Sequence, residues 1–550
     1  MNAGDSMARP RGTARLAGGL LLVAGIATAA LGQSARIPPP VEPAPQQLPP
    51  PRPAPEGART SSPATLEFKE LELPDAPKVP INMPTALRLA QTANLDIAQA
   101  REVVNQARAA EQLAHVGWIP NFNIGSTYTH HEGNIQKTEG NIIKANKDGL
   151  FVGGGPSLNW SLADVYFGPL VARQVEAATQ AGLQRVNNTT VLAVADAYLN
   201  VLLARRRLAR TGETLLYLTA EQFTVEGQRF KGMLRMMRDF VEVGAQEALR
   251  SELARVEVEV LRRQEEQRAA LQDFQTATAE LARLLRLDPQ VGLMPVEDFR
   301  FPIPLPGEEL ASRPVEQLVA FALAGRPELA ENRALVLAAL ARVRNSKFRP
   351  LLPNVALAYN WGDFGGSPDP NPGGRPGFGP SGEIKHMNTR TDLDVSLVWR
   401  LRNFGFGDLA DRRGFEAAYR QANLRQLQVE DLVVAQVVIA KEEMEGWRDR
   451  LNTTRAALFN ANGAPAGPVF SSLRLNFERI RAAGGRPLEV LDSIRGLSDA
   501  LEAYGVDVTS YERARFRLLF ALGVPPQSLF DPSATQPAGT AANPAPGPNH

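Results

Sequence analysis

Cysteine is absent from the 550-residue sequence, which excludes disulfide bonds and the lipid-attachment cysteine of a bacterial lipoprotein. An excess of one charge is missing as well, because 60 lysines and arginines are matched by 59 aspartates and glutamates, for a formal net charge of +1. This balance gives no reason to expect a nucleic acid as a partner. The chain is therefore large, nearly neutral and free of thiols.

The N-terminus has the order of an export signal. Arg9, Arg11 and Arg15 precede an apolar run at residues 16–31, and small residues follow at its end. This order predicts a secretory signal over residues 1–32, with Met7 as an alternative start and an uncleaved anchor helix as the alternative structure. Proline dominates the next segment, so residues 33–79 are predicted to be a disordered linker, and residues 531–550 a disordered tail.

One strand-to-helix junction occurs twice in the sequence. Residues 157–168 (SLNWSLADVYFG) return as residues 396–407 (SLVWRLRNFGFG), with serine, leucine, tryptophan, leucine, phenylalanine and glycine at the same offsets. Each copy then opens a long charged helix without strong breakers. We therefore predict one architecture built twice, with a first repeat at residues 80–300 and a second at residues 301–530.

Each repeat is predicted to contain a short helical segment, two strands and a long helical hairpin. The strands are expected near residues 121–129, 156–163, 354–361 and 392–401. The long helices are expected near residues 169–230, 245–287, 408–482 and 488–522. Between them, residues 130–155 are predicted to be a polar loop and residues 231–244 the turn of the first hairpin. A helix of some sixty residues spans roughly 90 Å, which is too long for a compact core.

Four strands of about nine residues make a poor sheet alone, but this length suits a tilted membrane strand. Backbone groups in hydrocarbon must all be paired, so membrane strands close into barrels, and bacterial barrels need at least eight strands. Closure would therefore require two or more copies of the chain and give eight, twelve or sixteen strands.

The repeated junctions resemble those of the TolC-like outer membrane efflux proteins, also called outer membrane factors. The resemblance covers roughly residues 80–530, and its further parts are the proline-strand junctions and the ends of the return helices: residues 118–122 (WIPNF), 350–355 (PLLPNV), 282–289 (ARLLRLDP) and 517–525 (RLLFALGVP). It implies a mainly α fold with a small membrane β-barrel contribution, in which a homotrimer closes a twelve-stranded barrel in outer-membrane lipid. It also implies a helical tunnel that crosses the periplasm and docks on a periplasmic adaptor and an inner-membrane pump.

The resemblance further implies that the turns of the long hairpins are periplasmic tips that gate the tunnel and meet the adaptor. The candidate contact residues are Gly244, Gly484, Gly485, Leu488 and Asp492. Residues 484–492 are similar to the glycine, leucine and aspartate pattern of the family, whereas the first turn departs from it by its three methionines at 233, 236 and 237. An ordinary helical turn with a glycine C-cap is the alternative for both turns.

Other motifs give no catalytic or cofactor site. Trp160 and Trp399 occupy equivalent positions and are predicted to be membrane-interface aromatics, with sheet packing as the alternative. His130 and His131 would face opposite sides of a strand and lack a third ligand, so a loop tip is expected there rather than a metal site. Residues 153–157 (GGGPS) lack the lysine of a phosphate loop, and the many carboxylates are expected on solvated helix faces.

The predicted function is a passive outer-membrane duct in a tripartite efflux or type I secretion system, without enzymatic activity. The alternative is an exported, envelope-associated coiled-coil scaffold without a pore. Drug efflux, metal efflux and protein secretion all stay open, because the partner pump decides among them.

Overall fold

The computed structural model of the chain describes residues 78–136, 138–243, 247–297, 312–368, 385–482 and 485–524. All of these residues belong to one compact unit, Phe68–His550. The predicted signal, the predicted tail and all but the last two residues of the predicted linker lie outside the described ranges, as do Gly244 and Gly484.

The first half of this unit has a short helical pair, two long strands and a long helical hairpin with an insertion at its far end. In chain order its elements are β1 (Lys78–Ile81), α1 (Met83–Ala93), α2 (Leu95–Val116), β2 (Asn121–Gln136), β3 (Ile142–Ser161), α3 (Leu162–Thr219), β4 (Phe223–Val225), β5 (Gln228–Phe230), α4 (Met233–Val243), α5 (Glu247–Leu285) and β6 (Gly292–Pro295). Asn82 caps α1, because its side-chain oxygen accepts a hydrogen bond from the backbone N–H of Thr85 at 2.9 Å.

The second half repeats this order. Its elements are α6 (Val315–Gly325), α7 (Pro327–Phe348), β7 (Asn354–Pro368), β8 (Lys385–Val398), α8 (Phe406–Leu458), α9 (Pro468–Arg481) and α10 (Pro487–Ala521). Gly405, with a φ of 89°, turns the chain from β8 into α8. Asp408 lies in the first turn of α8, where its negative charge suits the helix dipole, and it accepts a hydrogen bond from the backbone N–H of Arg402 at 3.0 Å.

The strands of the first repeat are longer than the sequence predicts. The expected loop at residues 130–155 is wrong: apart from a short connection, these residues complete β2 and β3, which pair without interruption from Asn121↔Ser157 to Gln136↔Ile142. Glycine and polar residues suggest a loop locally, yet they are accommodated in a strand whose neighbours supply its hydrogen bonds. The second strand ends at Ser161, so α3 begins at Leu162 and Pro169 lies inside the helix rather than at its start.

The far end of the first hairpin also differs from the prediction. Helix α3 stops at Thr219 instead of near residue 230, and the antiparallel hairpin β4–β5 follows it. Glu226 and Gly227 form the two-residue turn of this hairpin with φ values of 45° and 81°, as the right-handed twist of two short strands requires. Residues 233–243 form α4 and not a turn. In the second hairpin, the long helix expected near residues 408–482 is interrupted at residues 459–467, which separate α8 from α9.

The four long strands form one curled antiparallel sheet in the order β2-β3-β7-β8. Four helices repeat this order, because α2 packs on α3, α3 on α7, and α7 on α8. Helices α5 and α10 pack against α3 and α8 and return along them. The strands and the helices therefore form two layers that are joined end to end. In each layer, one outermost member comes from the first half of the chain and the other comes from the second half.

Candidate functional site

The sheet has one apolar and one polar face. In antiparallel pairs, residues directly opposite one another point to the same face. The register places these apolar residues together: Phe122, Ile124 and Tyr128 of β2, Leu150, Val152, Leu158 and Trp160 of β3, Val355, Leu357, Tyr359 and Trp361 of β7, and Leu393, Val395 and Leu397 of β8. Several are largely exposed, up to 84 % for Ile124 and 64 % for Leu393. A soluble monomer rarely exposes such a continuous apolar surface.

The opposite face carries mostly small and polar side chains, although Phe151 and Phe364 are paired with each other on it. Its members include Asn121, Asn123, Thr127 and Thr129 of β2, Ser157 and Asn159 of β3, Asn354 and Asn360 of β7, and Asp392, Asp394 and Ser396 of β8. Strands that alternate in this way between an apolar and a polar face are typical of a barrel with lipid outside and water inside.

Both edges of the sheet are open. Within the described part of the chain, β2 pairs only with β3, and β8 pairs only with β7. The helical layer has matching exposed apolar residues on its two outermost helices: Val103, Leu113 and Val116 on α2, and Leu424, Leu427, Leu432 and Ile439 on α8. Edge strands with unpaired N–H and C=O groups are templates for pairing with another chain.

The two tryptophans lie near the helical end of the sheet, Trp160 on its apolar face. Trp160 stands opposite Val355 in β3 and is half-buried, whereas Trp399 follows the last paired residue of β8 and is 59 % exposed. The apolar face continues to a second group of aromatics farther along the strands, which sequence reasoning missed: Tyr128, Tyr359 and Trp361. Their signal in the sequence is the alternation of apolar residues in β7, ALAYNWG.

Polar groups limit the apolar face beyond these aromatics. The Tyr128 hydroxyl donates to Asp148 at 2.7 Å, and Nδ1 of His130 lies 2.7 Å from the same carboxylate. His131 faces the other side, opposite Lys147. The two histidines therefore lie within a strand and not at the loop tip that was expected.

The glycine-rich residues 153–155 allow close contact between strands. A Cβ on Gly154 would lie 2.0 Å from the carbonyl oxygen of Asn123, and one on Gly155 would lie 1.8 Å from that of Tyr359. Any larger residue would displace a neighbouring backbone. These glycines therefore shape the sheet at its middle.

The end of the long helices remote from the sheet, here called the distal end, is built differently. One buried cluster, the distal cluster, joins the β4–β5 hairpin to four helices through these side chains: Val225, Phe230, Met233, Met236, Met237, Val256, Leu473, Phe477, Ile480, Val490, Leu491 and Ile494. Glu226 at the hairpin turn accepts hydrogen bonds from Ser471 at 2.8 Å and from Arg474 at 2.5 Å, both on α9. The three methionines thus serve packing, and the insertion of the first repeat is attached to that of the second.

Three of the five predicted tip residues lie at the start of α10. Leu488, which is 49 % exposed, and Asp492 are one helical turn apart and share an exposed face. Gly485 precedes them, and a Cβ there would lie 2.8 Å from the backbone nitrogen of Ile480. The connection before α10 is therefore held tightly against the end of α9, while the first helical turn of α10 is exposed.

A polar network, which sequence reasoning missed, joins the two hairpins above the distal cluster. Glu259 of α5 is 2 % exposed and accepts hydrogen bonds from Arg263 at 3.1 Å and from Arg495 of α10 at 2.6 Å. Ser498 of α10 accepts from Arg263 and from Arg210 of α3, each at 2.8 Å. The expectation that carboxylates lie on solvated faces is wrong for Glu259, because helices from both repeats cover it.

Charge and burial oppose each other at Glu259. Burial alone would raise the pKa of its carboxyl group, but the hydrogen bond from Arg495 and the charge of Arg263 outweigh burial, and the pKa lies below its usual value. The same contact with Glu259 raises the pKa of Arg495. The Glu259 carboxylate is therefore ionised over the neutral pH range, and its ion pair with Arg495 joins α5 to α10.

Within the described ranges, no helix is both long enough and apolar enough to cross a membrane. No protein-family model and no curated protein matches the sequence.

Solved structures, in contrast, match over most of the chain. A membrane protein from Pseudomonas aeruginosa is 19 % identical with a TM-score of 0.62, and the match covers 80 % of this chain and 93 % of that one. The CmeC outer membrane channel of Campylobacter jejuni is 13 % identical with a TM-score of 0.63, covering 80 % and 85 %. The open state of the MtrE outer membrane channel of Neisseria gonorrhoeae is 16 % identical with a TM-score of 0.58, covering 80 % and 89 %. The chain therefore has the fold of the TolC-like outer membrane channels.

Proposed function

We propose that this chain is the outer-membrane channel subunit of a tripartite export system and that three copies form one continuous duct. The observation that carries the proposal is a sheet with one apolar face, one polar face and two open edges. In a membrane this sheet satisfies its backbone only by closing with further copies. Three copies would supply twelve strands, the number that the resemblance to TolC-like proteins implies.

The strand and helix directions permit such closure. Strand β8 of one copy would pair with β2 of the next, and these strands would run antiparallel, as neighbours within the sheet do. The exposed apolar residues of α8, such as Leu427, would at the same time pack on those of α2, such as Val103. One contact between copies would thus continue both layers.

We further propose that Trp160 and Trp399 lie at the periplasmic border of the lipid and that the distal end meets a periplasmic adaptor of an inner-membrane pump. Leu488 and Asp492 on the open first turn of α10 are the proposed contacts, together with Gly244, Gly484 and Gly485. Export through the duct is passive, with energy supplied by the pump. The identity of that pump distinguishes efflux from type I secretion.

Electrophoresis without boiling and conductance in planar bilayers test the channel. We expect a heat-sensitive trimer band and stepwise single-channel currents from the purified chain. A protein that forms no oligomer and carries no current would overturn the proposal and favour a coiled-coil scaffold without a pore.

A paired substitution tests the adaptor contact. Leu488→Ser combined with Asp492→Asn is expected to reduce adaptor binding at least several-fold while trimers and conductance remain normal. Asp499→Asn is the matched control, since this exposed carboxylate lies seven residues, or about 10 Å, farther along the same helix. Unchanged binding in the double variant would show that this turn is not the contact.

A further inference from the structure

A pocket of about 420 Å³ opens at the distal end between the β4–β5 hairpin, α4 and the last turn of α9. Its floor is apolar and consists of Phe230, Met236 and Phe240. The ring centroid of Phe230 lies 5.5 Å from that of Phe477, which is fully buried in the distal cluster. The floor is therefore backed by packed side chains.

The rim of the pocket has an excess of positive charge. Arg229, Lys231 and Arg481 line it together with a single carboxylate, Asp239. Lys231 and Asp239 neutralise each other through an ion pair of 2.7 Å. Among the described residues, no hydrogen bond or ion pair engages the guanidinium group of Arg229 or Arg481.

The arginines of the adjacent helix α4 are in a different situation. The two arginines of α4 that do not line the pocket both have carboxylate partners: Arg235 lies 2.9 Å from Glu221, and Arg238 lies 3.4 Å from Glu257. Arg229 and Arg481 thus differ from these two arginines of α4 in having no carboxylate partner among the described residues. An apolar floor below two unmatched guanidinium groups is complementary to a molecule with an apolar body and an anionic head.

We propose that this pocket binds a small amphipathic organic anion, a carboxylate or sulfonate on an aromatic or aliphatic body. The body would lie on Phe230 and Met236, and the anionic head would accept hydrogen bonds from Arg229 and Arg481. The volume falls in the range of about 300–1,000 Å³ that is usual for ligand sites. A helix about 10–12 Å wide could place only about one turn there, so a protein segment would fill the pocket poorly.

Equilibrium dialysis of the full chain in nanodiscs tests the proposal with 2-naphthoate as the probe and 2-naphthamide as its uncharged counterpart. We expect saturable binding of 2-naphthoate and at least tenfold weaker binding of the amide. Equal affinity for the two compounds, or absence of saturable 2-naphthoate binding, would overturn the proposal.

Two variants with opposite expected effects locate the site. Arg229→Gln with Arg481→Gln is expected to weaken 2-naphthoate binding at least tenfold. Asp239→Asn removes the partner of Lys231 and adds a free cation to the rim, so it is expected to tighten binding. A loss of affinity in Asp239→Asn would contradict the proposed charge complementarity even if the double arginine variant folded poorly.

Arg235→Gln with Arg238→Gln is the matched control, because it removes the same charge from the same end of the molecule. We expect it to leave 2-naphthoate binding unchanged, and equal weakening in both double variants would overturn the pocket as the binding site. Trimer formation and conductance are expected to be normal in all of these variants. A result that rules out ligand binding in the pocket can therefore be distinguished from a result that rules out the channel.

Discussion

The two ends of the long helices are stabilised in opposite ways. At the sheet end, large apolar side chains such as Ile124 and Val395 stay exposed, and both edge strands lack a second partner in the described chain. At the distal end, Phe477 and Met233 are fully buried within one copy. In the proposed channel the sheet end would be completed by other copies and lipid, whereas the distal end is packed within one copy.

A second difference lies between the two repeats. They correspond closely in their strands and long helices, but the distal end of the first is a β-hairpin with α4 and that of the second is a loop with α9. These unlike insertions interlock, since Glu226 of one binds Arg474 of the other. The two repeats therefore match in the strands and long helices that form the two layers, and they differ at the distal ends of their hairpins.

The largest effect is expected from a charge on the apolar face. Val395→Arg should cost about 2–4 kcal/mol per copy in the membrane, which three copies multiply, and should abolish heat-sensitive trimers. Ser396→Arg is the matched control on the polar face of the same strand and should retain trimers. If both variants assemble equally, the two faces do not separate lipid from water.

A large but local effect is expected from the distal cluster. Phe477→Ala removes a buried ring that contacts Phe223 and Phe230 and should destabilise this end by about 3–5 kcal/mol. Hydrogen exchange should then increase in α4 and α9 while trimers persist. The exposed Leu475 of the same helix provides the control Leu475→Ala, which should change stability by less than about 0.5 kcal/mol. Loss of trimers in Phe477→Ala would show that the two ends are not independent.

Two glycine substitutions, one in the turn before α10 and one within α10, are expected to have smaller effects of opposite sign on stability. Gly485→Ala places a methyl group against the backbone of Arg479 and Ile480 and should destabilise the distal end by about 1–3 kcal/mol. Gly496→Ala, at an exposed helical position with open space around its Cβ, should stabilise it by about 0.5–1 kcal/mol. Limited proteolysis and urea unfolding would measure both, and the same sign for the two would contradict the close packing of the turn.

The smallest effect is expected from the polar network. The folded-state pKa of Glu259 is lowered, so its contribution to stability is present above the unfolded pKa of a glutamate, about 4.3, and is lost as pH falls through the lower folded value. The wild type should therefore lose more urea resistance between neutral and acidic pH than Glu259→Gln does. Parallel pH profiles for the two would show that this carboxylate is not preferentially ionised in the folded chain.

Much of the fold can be predicted because its signals are local. The alternation of Leu393, Val395 and Leu397 with polar residues indicates a two-faced strand, and the repeated junction at residues 157–168 and 396–407 indicates a duplicated architecture. The extent of the strands could not be predicted. Gly154 and Gly155 have the composition of a loop, and only the close approach of Asn123 and Tyr359 explains why they lie in a strand.

The candidate sites divide in the same way. The position of Leu488 and Asp492 near a hairpin turn follows from the glycine-rich residues before them, while their shared exposed face appears only when α10 packs against α9. The ion pair of Glu226 with Arg474 joins residues 248 positions apart, and Glu259 meets Arg495 across 236 positions. Neither pair has a local signal.

The sequence by itself determined the period of each element and its duplication, because these depend on neighbouring residues in strands and helices. Only the tertiary structure decided which glycines are strand residues, which carboxylates are buried, and which arginines at the distal end lack a partner. Those properties depend on the distances between segments that are far apart in the chain, and local patterns carry no record of such distances.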